Sequence, residues 1–486
     1  MKKRTMGIEI EYPLIFSPLP ELERHYEFQS INAQDQLNKL SEWLIGEVAQ
    51  TKINHLKTSR PTFWLVNGGG LYRDAIDNAY HPEYYTPECT NIYDLICHTK
   101  AGDLFLEILR RRLQKKLEKI GINGRLNLYR TNTIFNIDKN EEIEVTLGCH
   151  ENYLLEKKID FINLEKNLTP FFVSRIILSG AGLIHYSRNR GTEYLISQRA
   201  PFIKSTISGA TTENRAIINT REKTLADSKK YRRFHVIIGD SNISELSIFL
   251  AIGTTHLALR LIEEGWNAPQ ELTLENPIKT LNDIALNLDL KKRVALKNGN
   301  ELTAIEIQKI YLKAAIERLL EISPEEIKII KEWERTLKNL EKNPSSMDQE
   351  LDWLIKLKLI KNYSKKNSLA ENNPKIKELE AKYHSLNPEE NIYRILLKRG
   401  LVKRMTTDND IIRAVRMPPL EKTRANARSL LIKKMKNSKF ELASQFTWSG
   451  GSIIKPWRNE PSIHIVMNDP FESSLSEIVL RIFNNK

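Results

Sequence analysis

The sequence predicts an α+β fold, and three observations carry that prediction. The stretch Gly7-Ile8-Glu9-Ile10-Glu11-Tyr12 alternates apolar and acidic residues with period two, the mark of a strand with one face toward a core. Tyr231 to Gly239 reads as a second, buried strand closed by a glycine. Long stretches with helical spacing stand apart from these strands: about 101–120, with Leu104, Leu106, Ile108, Leu109, Leu113 and Leu117 on its apolar side, and about 304–360, rich in Leu, Ile, Lys and Glu. A chain of 486 residues has length for more than one domain. The change in character from about Gly400 divides it into a large domain over 1–400 and a small C-terminal domain over 401–486.

In chain order, residues 13–66 form a connection with a helical centre, Ala33 to Glu47, followed by a short apolar strand, Thr62 to Val66. Gly68-Gly69-Gly70 turns the chain into Leu71-Tyr72-Arg73-Asp74. After the helix at 101–120 come strand-like runs at Arg125–Arg130 and Glu142–Leu147, with Asn136–Asn140 as the turn. Asp240-Ser241-Asn242 reads as a helix start, with Glu245 placed as in a capping box. Asn362 to Pro374 is an expected loop, and strands are expected around Phe440–Ile454 and Ser462–Met467. There is no internal repeat and no low-complexity tract.

The balance of 74 basic against 61 acidic residues, net +13, suits an acidic partner. No Lys/Arg run with interleaved aromatics occurs, so no nucleic-acid surface is expected. Cys89, Cys97 and Cys149 show neither CxxC spacing nor a disulfide framework, which fits a reducing cytoplasm. Glu9 and Glu11 interrupt the apolar run a signal peptide would need after Met1-Lys2-Lys3-Arg4. The longest apolar stretch, Leu246 to Ile262, carries Ser247, Thr254, Thr255, His256 and Arg260 and reads as a buried helix, so no membrane partner is expected.

The chemistry is expected on the strands. Glu9 and Glu11 point to one side of theirs. Adjacent carboxylates repel unless a cation sits beside them, and Mg²⁺ takes such oxygen ligands together with phosphate oxygens. Tyr72 and Asp74 repeat the i, i+2 spacing just after the glycine turn. His81-Pro82-Glu83-Tyr84 adds an imidazole and a carboxylate beside a proline, and Cys149-His150-Glu151-Asn152-Tyr153 adds metal-capable and amide groups at a strand end. His235 lies inside an apolar strand led by Arg232 and Arg233, a pair suited to a phosphate-facing wall. No GxxxxGK[ST], complete dinucleotide fingerprint, HExxH or GxSxG occurs, so a nucleotide site here is built from strand-borne side chains.

These residues sit in blocks that resemble the Pup ligase and Pup deamidase/depupylase family, relatives of glutamine synthetase and other carboxylate–amine ligases. The matching blocks are MGIEIEY, LYRD with HPEYYTPEC, GCHENYL, LISQRA, IINTRE…ADSKKYRRFHVIIGDSN, DWLIKL, TTD, TRANAR and DPF, and they run almost end to end. The resemblance implies a glutamine-synthetase-like catalytic domain, a curved antiparallel sheet cradling ATP and Mg²⁺. By motif match it makes Glu9, Tyr72, Glu83, His150 and His235 magnesium ligands. It brings Thr86, Asn152, Arg233 and Trp448 to the nucleotide, and makes Asp74 the catalytic aspartate. It also implies an acidic, disordered Pup-like modifier and lysine-bearing target proteins as partners.

Three departures accompany it. Gly70 stands where the family pattern carries a nucleotide-binding arginine. Three extra residues separate Asp74 from His81 and bring in Asp77 as a second candidate base. The family's DEPHAD reads Glu222-Lys223-Thr224-Leu225-Ala226-Asp227. The expected activity is ATP-dependent formation of an isopeptide bond between the C-terminal Glu side chain of Pup and a target lysine, through a γ-glutamyl phosphate. The short 13–66 segment, Ser208–Thr212, Gly239–Asn242 and Asp469-Pro470-Phe471 resemble the ligase branch. The alternatives are a deamidase/depupylase that uses nucleotide as cofactor, and a nucleotide-gated Pup-binding protein without activity.

Overall fold

The computed structural model describes all residues other than 1–2, 19–27, 29–30, 59–61, 77, 134–145, 188, 443–445, 455–460, 472–473 and 485–486. Asp77, the expected turn at 136–140 and residues 142–145 of the expected strand at 142–147 lie outside the described residues. The chain forms two compact units, each assembled from separate stretches: 3–129, 223–233 and 406–486 in one, 130–222 and 234–405 in the other. It leaves the second of these between Met405 and Thr406.

The unit holding the N-terminus is built on a run of strands. Met6–Glu11 pairs with Ala79–Tyr85, which pairs with Gly70–Ile76, then Thr62–Leu65, then His55–Lys57, every pairing antiparallel. The glycine turn works through Gly68 at φ +86°, where an added Cβ would also strike Ala425 at 2.8 Å. Ile8 and Ile10 are buried on the face opposite Glu9 and Glu11, and the helix Ile92–Lys119 packs on that strand. The helix begins well before the expected 101. Asn91 caps it by accepting from the Asp94 amide at 2.7 Å, and its buried polar residues Asp94, His98 and Thr99 mask the apolar period in its opening turns.

Residues after 405 pack into this unit. The helix Arg424–Lys436 and the strands Glu441–Leu442, Gly450–Ile454 and Ile463–Val466 place Leu431, Ile432, Phe446, Ile453, Ile465 and Met467 in one core with Trp64, Val66 and Tyr85. Each such side chain contributes roughly 1.5–3 kcal/mol on burial. A polar anchor fixes the contact: buried Glu88 accepts from Arg424 Nε at 2.5 Å and also pairs with Arg428, whose Nε donates to the Gly68 carbonyl at 2.9 Å.

In the other unit, Ser205–Ser208 runs parallel to Ala216–Asn219, whose Asn219 lies antiparallel opposite His235, and the strand Cys149–Glu156 lies beyond that. The helix Glu245–Glu263 is long and apolar enough to cross a membrane, yet it is wholly buried inside the unit, as the sequence led us to expect. The expected helical region 304–360 is three helices, Ala304–Arg318, Pro324–Lys342 and Asp352–Asn367. The second begins with Pro324 in its first turn, and Pro344 opens a 3-10 turn before the third. The third consumes part of the loop expected at 362–374.

The expected capping box at Glu245 is not formed. The helix starts after Ser244, and the amides that lead into it are met by a distant carboxylate: Asp352 accepts from Ile243 N at 3.0 Å, Ser244 N at 2.9 Å and the Tyr383 hydroxyl at 2.6 Å. Asp240 does similar work, accepting from the amides of Ala181 (2.7 Å), Gln198 (2.8 Å) and Arg199 (3.0 Å) and from the Ser197 hydroxyl (2.9 Å).

The Glu88 anchor generates a prediction. Burial pushes its carboxyl up, and the Arg428 and Arg424 guanidiniums more than reverse this, leaving it below its ordinary value. The stability it contributes is therefore present at neutral pH and is lost as pH falls through its depressed folded-state value. Glu88→Ala leaves two buried guanidiniums unpaired and should cost about 3–5 kcal/mol in urea unfolding at pH 7, the difference narrowing in acid. Wild-type stability in the variant would refute the anchor.

Candidate active site

Strand register assembles the site. Glu9 lies opposite Tyr85, Tyr85 opposite Gly70, and Gly70 opposite Trp64. One step along, Glu11 lies opposite Glu83 and Glu83 opposite Tyr72. One step further, His81 lies opposite Asp74. Residues directly opposite share a face, as do residues two apart on a strand, so these three rows cover one face of the sheet. The face grades from aromatic at Trp64 and Tyr85, through carboxylates at Glu9, Glu11 and Glu83, to Asp74 and His81.

The carboxylate rows are electrostatically loaded. Burial, then repulsion from Glu11 and Glu9, holds the Glu83 carboxyl well above its usual range. Burial, then the Glu83 and Glu9 charges, raises the Tyr72 phenol, which is hydrogen-bonded to Glu83. Burial and Glu11 raise Asp74. Burial pulls His81 down, but the Glu11 carboxylate, 3.5 Å from its Nε2, overcomes this and leaves it raised. Donor atoms of Glu11, Asp74 and His81 all lie within 4.8 Å of one another. Arg233 provides one protein cation, its Nη1 3.3 Å from a Glu9 oxygen. Arg232, adjacent on the strand, points to the other face. The donor set fits a hard divalent cation: oxygen ligands, converging and mutually repelling, on a rigid sheet.

In the unit spanning 130–222 and 234–405, His150 and His235 are buried with their rings edge to face, centroids 4.8 Å apart. Asn152, two residues on from His150, donates to the His150 carbonyl at 3.5 Å. The Thr86 hydroxyl, expected at the nucleotide, accepts from the buried Ile8 amide at 3.0 Å. The extra residues after Asp74 lengthen the hairpin: Ala75 pairs with Tyr80 and Ile76 with Ala79. On the face away from Tyr72, Arg73 stacks over Tyr80 at 4.0 Å, and Asn38 of the helix Ala33–Gly46 accepts from Tyr80 N and donates to the Asn78 carbonyl.

At the aromatic end, Trp448 is half-buried against Trp64 (5.0 Å) and Tyr85 (5.1 Å), with the Arg428 guanidinium 4.7 Å from its ring. Sequence reasoning missed Trp64, Tyr85 and Arg428. Tyr85 had a signal, since it continues the phase of His81 and Glu83; Arg428 had none, because only the fold brings it to Trp448.

A sheet face of this kind, aromatic at one end and rich in oxygen donors at the other, is suited to a nucleotide held through cations. The family described as Pup-ligase protein matches residues 4–450. A Pup–protein ligase of Nocardioides sp. is 40% identical over 375 residues, covering 76% of this chain and 80% of the relative. That of Sanguibacter keddieii is 37% identical over 475 residues, 97% of each. Among solved structures, the complex between Pup and its ligase PafA is similar with a TM-score of 0.82 at 29% identity, covering 100% of this chain and 93% of that one. The Pup ligase PafA in complex with ADP follows at 0.75 and 30%, covering 90% and 92%. The chain belongs to the Pup-ligase family.

The charge pattern makes a cation-dependent prediction. Glu83 is raised in the folded protein, so the folded state holds a proton that the unfolded chain gives up. Without divalent cations, stability should therefore fall as pH rises from the ordinary carboxylate value toward the raised one. A Mg²⁺ ion held by Glu83 would compete with that proton, so its addition should raise Tm more at pH 8 than at pH 5.5. Glu83→Gln should flatten both dependences in scanning fluorimetry. An equal Mg²⁺ effect at both pH values would refute this account.

Proposed function

We propose that this chain is an ATP-dependent Pup–protein ligase, joining the side-chain carboxylate of the C-terminal Glu of Pup to lysine side chains of target proteins. The observation that carries this reading is similarity to Pup–protein ligases along nearly the whole chain, together with an acidic sheet face that ends on Asp74.

In the first step a carboxylate oxygen of Pup attacks the γ-phosphorus of ATP and ADP departs, giving a γ-glutamyl phosphate. In the second, a lysine amine attacks the acyl carbon, the C–O bond to phosphate breaks, and inorganic phosphate leaves. Asp74 takes the proton that the lysine ammonium gives up to become the attacking amine. Its carboxyl, raised by burial and by the Glu11 charge, makes it a better base than an ordinary aspartate.

Glu9, Tyr72, Glu83, His150 and His235 are the proposed magnesium ligands. Bound magnesium would offset phosphate charge and orient the triphosphate. Arg233, now paired with Glu9, is placed to exchange that partner for a phosphate oxygen. Asn152 and Thr86 are proposed nucleotide neighbours, and Trp448 supplies the surface on which the base packs. The Glu11–His81 pair lies beside Asp74, with His81 offsetting part of the repulsion from Glu11. Supporting a disordered acidic partner is the net charge of +13, and steep weakening of Pup binding with added salt is its expected signature.

Intact-protein mass spectrometry tests the reading, with Mg²⁺, ATP, a lysine-bearing acceptor and Pup ending in Glu or in Gln. Conjugation of the Glu form with one ADP released per bond is expected. Asp74→Asn should lower conjugation by about 10²-fold or more, the scale of general-base catalysis. Loss of ammonia from the Gln form without ATP turnover would show a deamidase instead.

A further inference from the structure

Gly70 and Tyr85 face each other across the hairpin, and the two positions share one volume. A Cβ built on Gly70 would lie 2.1 Å from the Tyr85 hydroxyl oxygen and 2.2 Å from its ring carbon Cζ, well inside contact distance. The phenol ring thus occupies the space that a side chain at position 70 would need, and the ring is 6% exposed. It lies between Tyr72 and Trp448, with centroids 5.8 and 5.1 Å away, and touches Trp64 edge-on at 5.4 Å. Trp448 is thereby held on three sides, by Tyr85, Trp64 and the Arg428 guanidinium. Trp448 itself precedes the strand Gly450–Ile454 in a tight turn closed by Thr447 and Gly450, and packs on the core that includes Phe446, Ile453 and Ile465.

We propose that Tyr85 is a positioning residue for nucleotide binding: filling the space beside Gly70, it sets the indole of Trp448 at the angle that receives the base, and glycine at 70 is the condition for it. Position 70 is then matched to position 85, and nucleotide affinity depends on the pair. This deepens the proposed function and rests on Trp448 facing the nucleotide. Tyr85 also stands between Gly70 and Glu9, so the same ring joins the aromatic end of the face to the proposed metal ligands.

The test is the affinity for ADP in the presence of Mg²⁺, measured by calorimetry and by quenching of tryptophan emission, on the full chain, with Tm recorded for each variant. Tyr85→Phe should bind as wild type, because the ring and not the hydroxyl does the packing. Tyr85→Ala should weaken ADP about three- to tenfold, the range expected for losing one aromatic contact. Gly70→Ala should weaken it at least as much, and Gly70→Ala/Tyr85→Ala should be no weaker than Tyr85→Ala alone, because the methyl then enters vacated space. KM for Pup should stay unchanged throughout, which a general structural lesion would not allow.

Additive losses in the double variant would overturn the pairing. Should Gly70→Ala not fold, Tyr85→Leu carries the test: weakened ADP binding at unchanged Tm supports the proposal, and unchanged binding overturns it. Trp448→Ala separates the two readings. If it leaves ADP affinity intact, the placement of Trp448 at the nucleotide fails. If it loses affinity while Tyr85→Ala and Gly70→Ala keep theirs, the present inference fails alone.

Discussion

The phase of one hairpin governs the whole candidate face. Gly70–Ile76 and Ala79–Tyr85 pair so that Tyr72 meets Glu83 and Asp74 meets His81, and the first strand joins so that Glu11 meets Glu83. A slip of one residue in either pairing would turn Leu71 and Arg73 toward the site and bury the acids among Ile8, Ile10 and Tyr84. The apolar face resists this, because Ile10, Leu71 and Tyr84 are fully buried there. The hairpin extension adds a second restraint away from the chemistry, through Asn38 and the Arg73–Tyr80 stack. Register is thus enforced by groups that take no part in the reaction, which leaves the site face free to be unfavourable in itself.

Unfavourable it is. Glu9, Glu11, Glu83 and Asp74 crowd one surface with a phenol and an imidazole, and Arg233 is the guanidinium paired with them among the described ion pairs. A core would not accept such a set, since buried charge without compensation costs several kcal/mol per group. A cation bound to such a face would couple ligand binding to folding free energy. On the proposed reading the Glu9–Arg233 pair would exchange partners on binding, metal for Glu9 and a phosphate oxygen for Arg233, instead of exposing bare charge.

Much of this was legible in the sequence. The period-two spacing in Glu9/Glu11, Tyr72/Asp74 and His81/Glu83 located the face, and the glycines at 68–70 located the turn that brings two of its strands together. The illegible part had two causes. Some groups act across the chain: Asp352 serves the amides at 243–244 and Arg428 reaches Trp448. No local pattern announces such contacts, and the capping box read at Glu245 failed because a remote carboxylate took its place. Others were hidden by identity: Tyr85 sits in phase with the acids but reads as a core aromatic, and the absent side chain at Gly70 acquires meaning only from the ring filling its place.

The blocks that carry the family resemblance therefore divide by physical role. MGIEIEY, LYRD and HPEYY supply the chemistry-bearing face. LISQRA, GDSN and DWLIKL do not; there the acids Asp240 and Asp352 spend their oxygens on backbone amides, pinning the start of the buried helix Glu245–Glu263 and the turn at 197–199. TRANAR joins the two, because Arg424 and Arg428 anchor the C-terminal segment on Glu88 while Arg428 also lies against Trp448. A polar motif inside a buried element can look catalytic when its work is to satisfy the main chain. What separates the two kinds is the direction of the oxygens, toward amides in the scaffold and toward one another on the sheet, and only the second arrangement needs a cation to complete it.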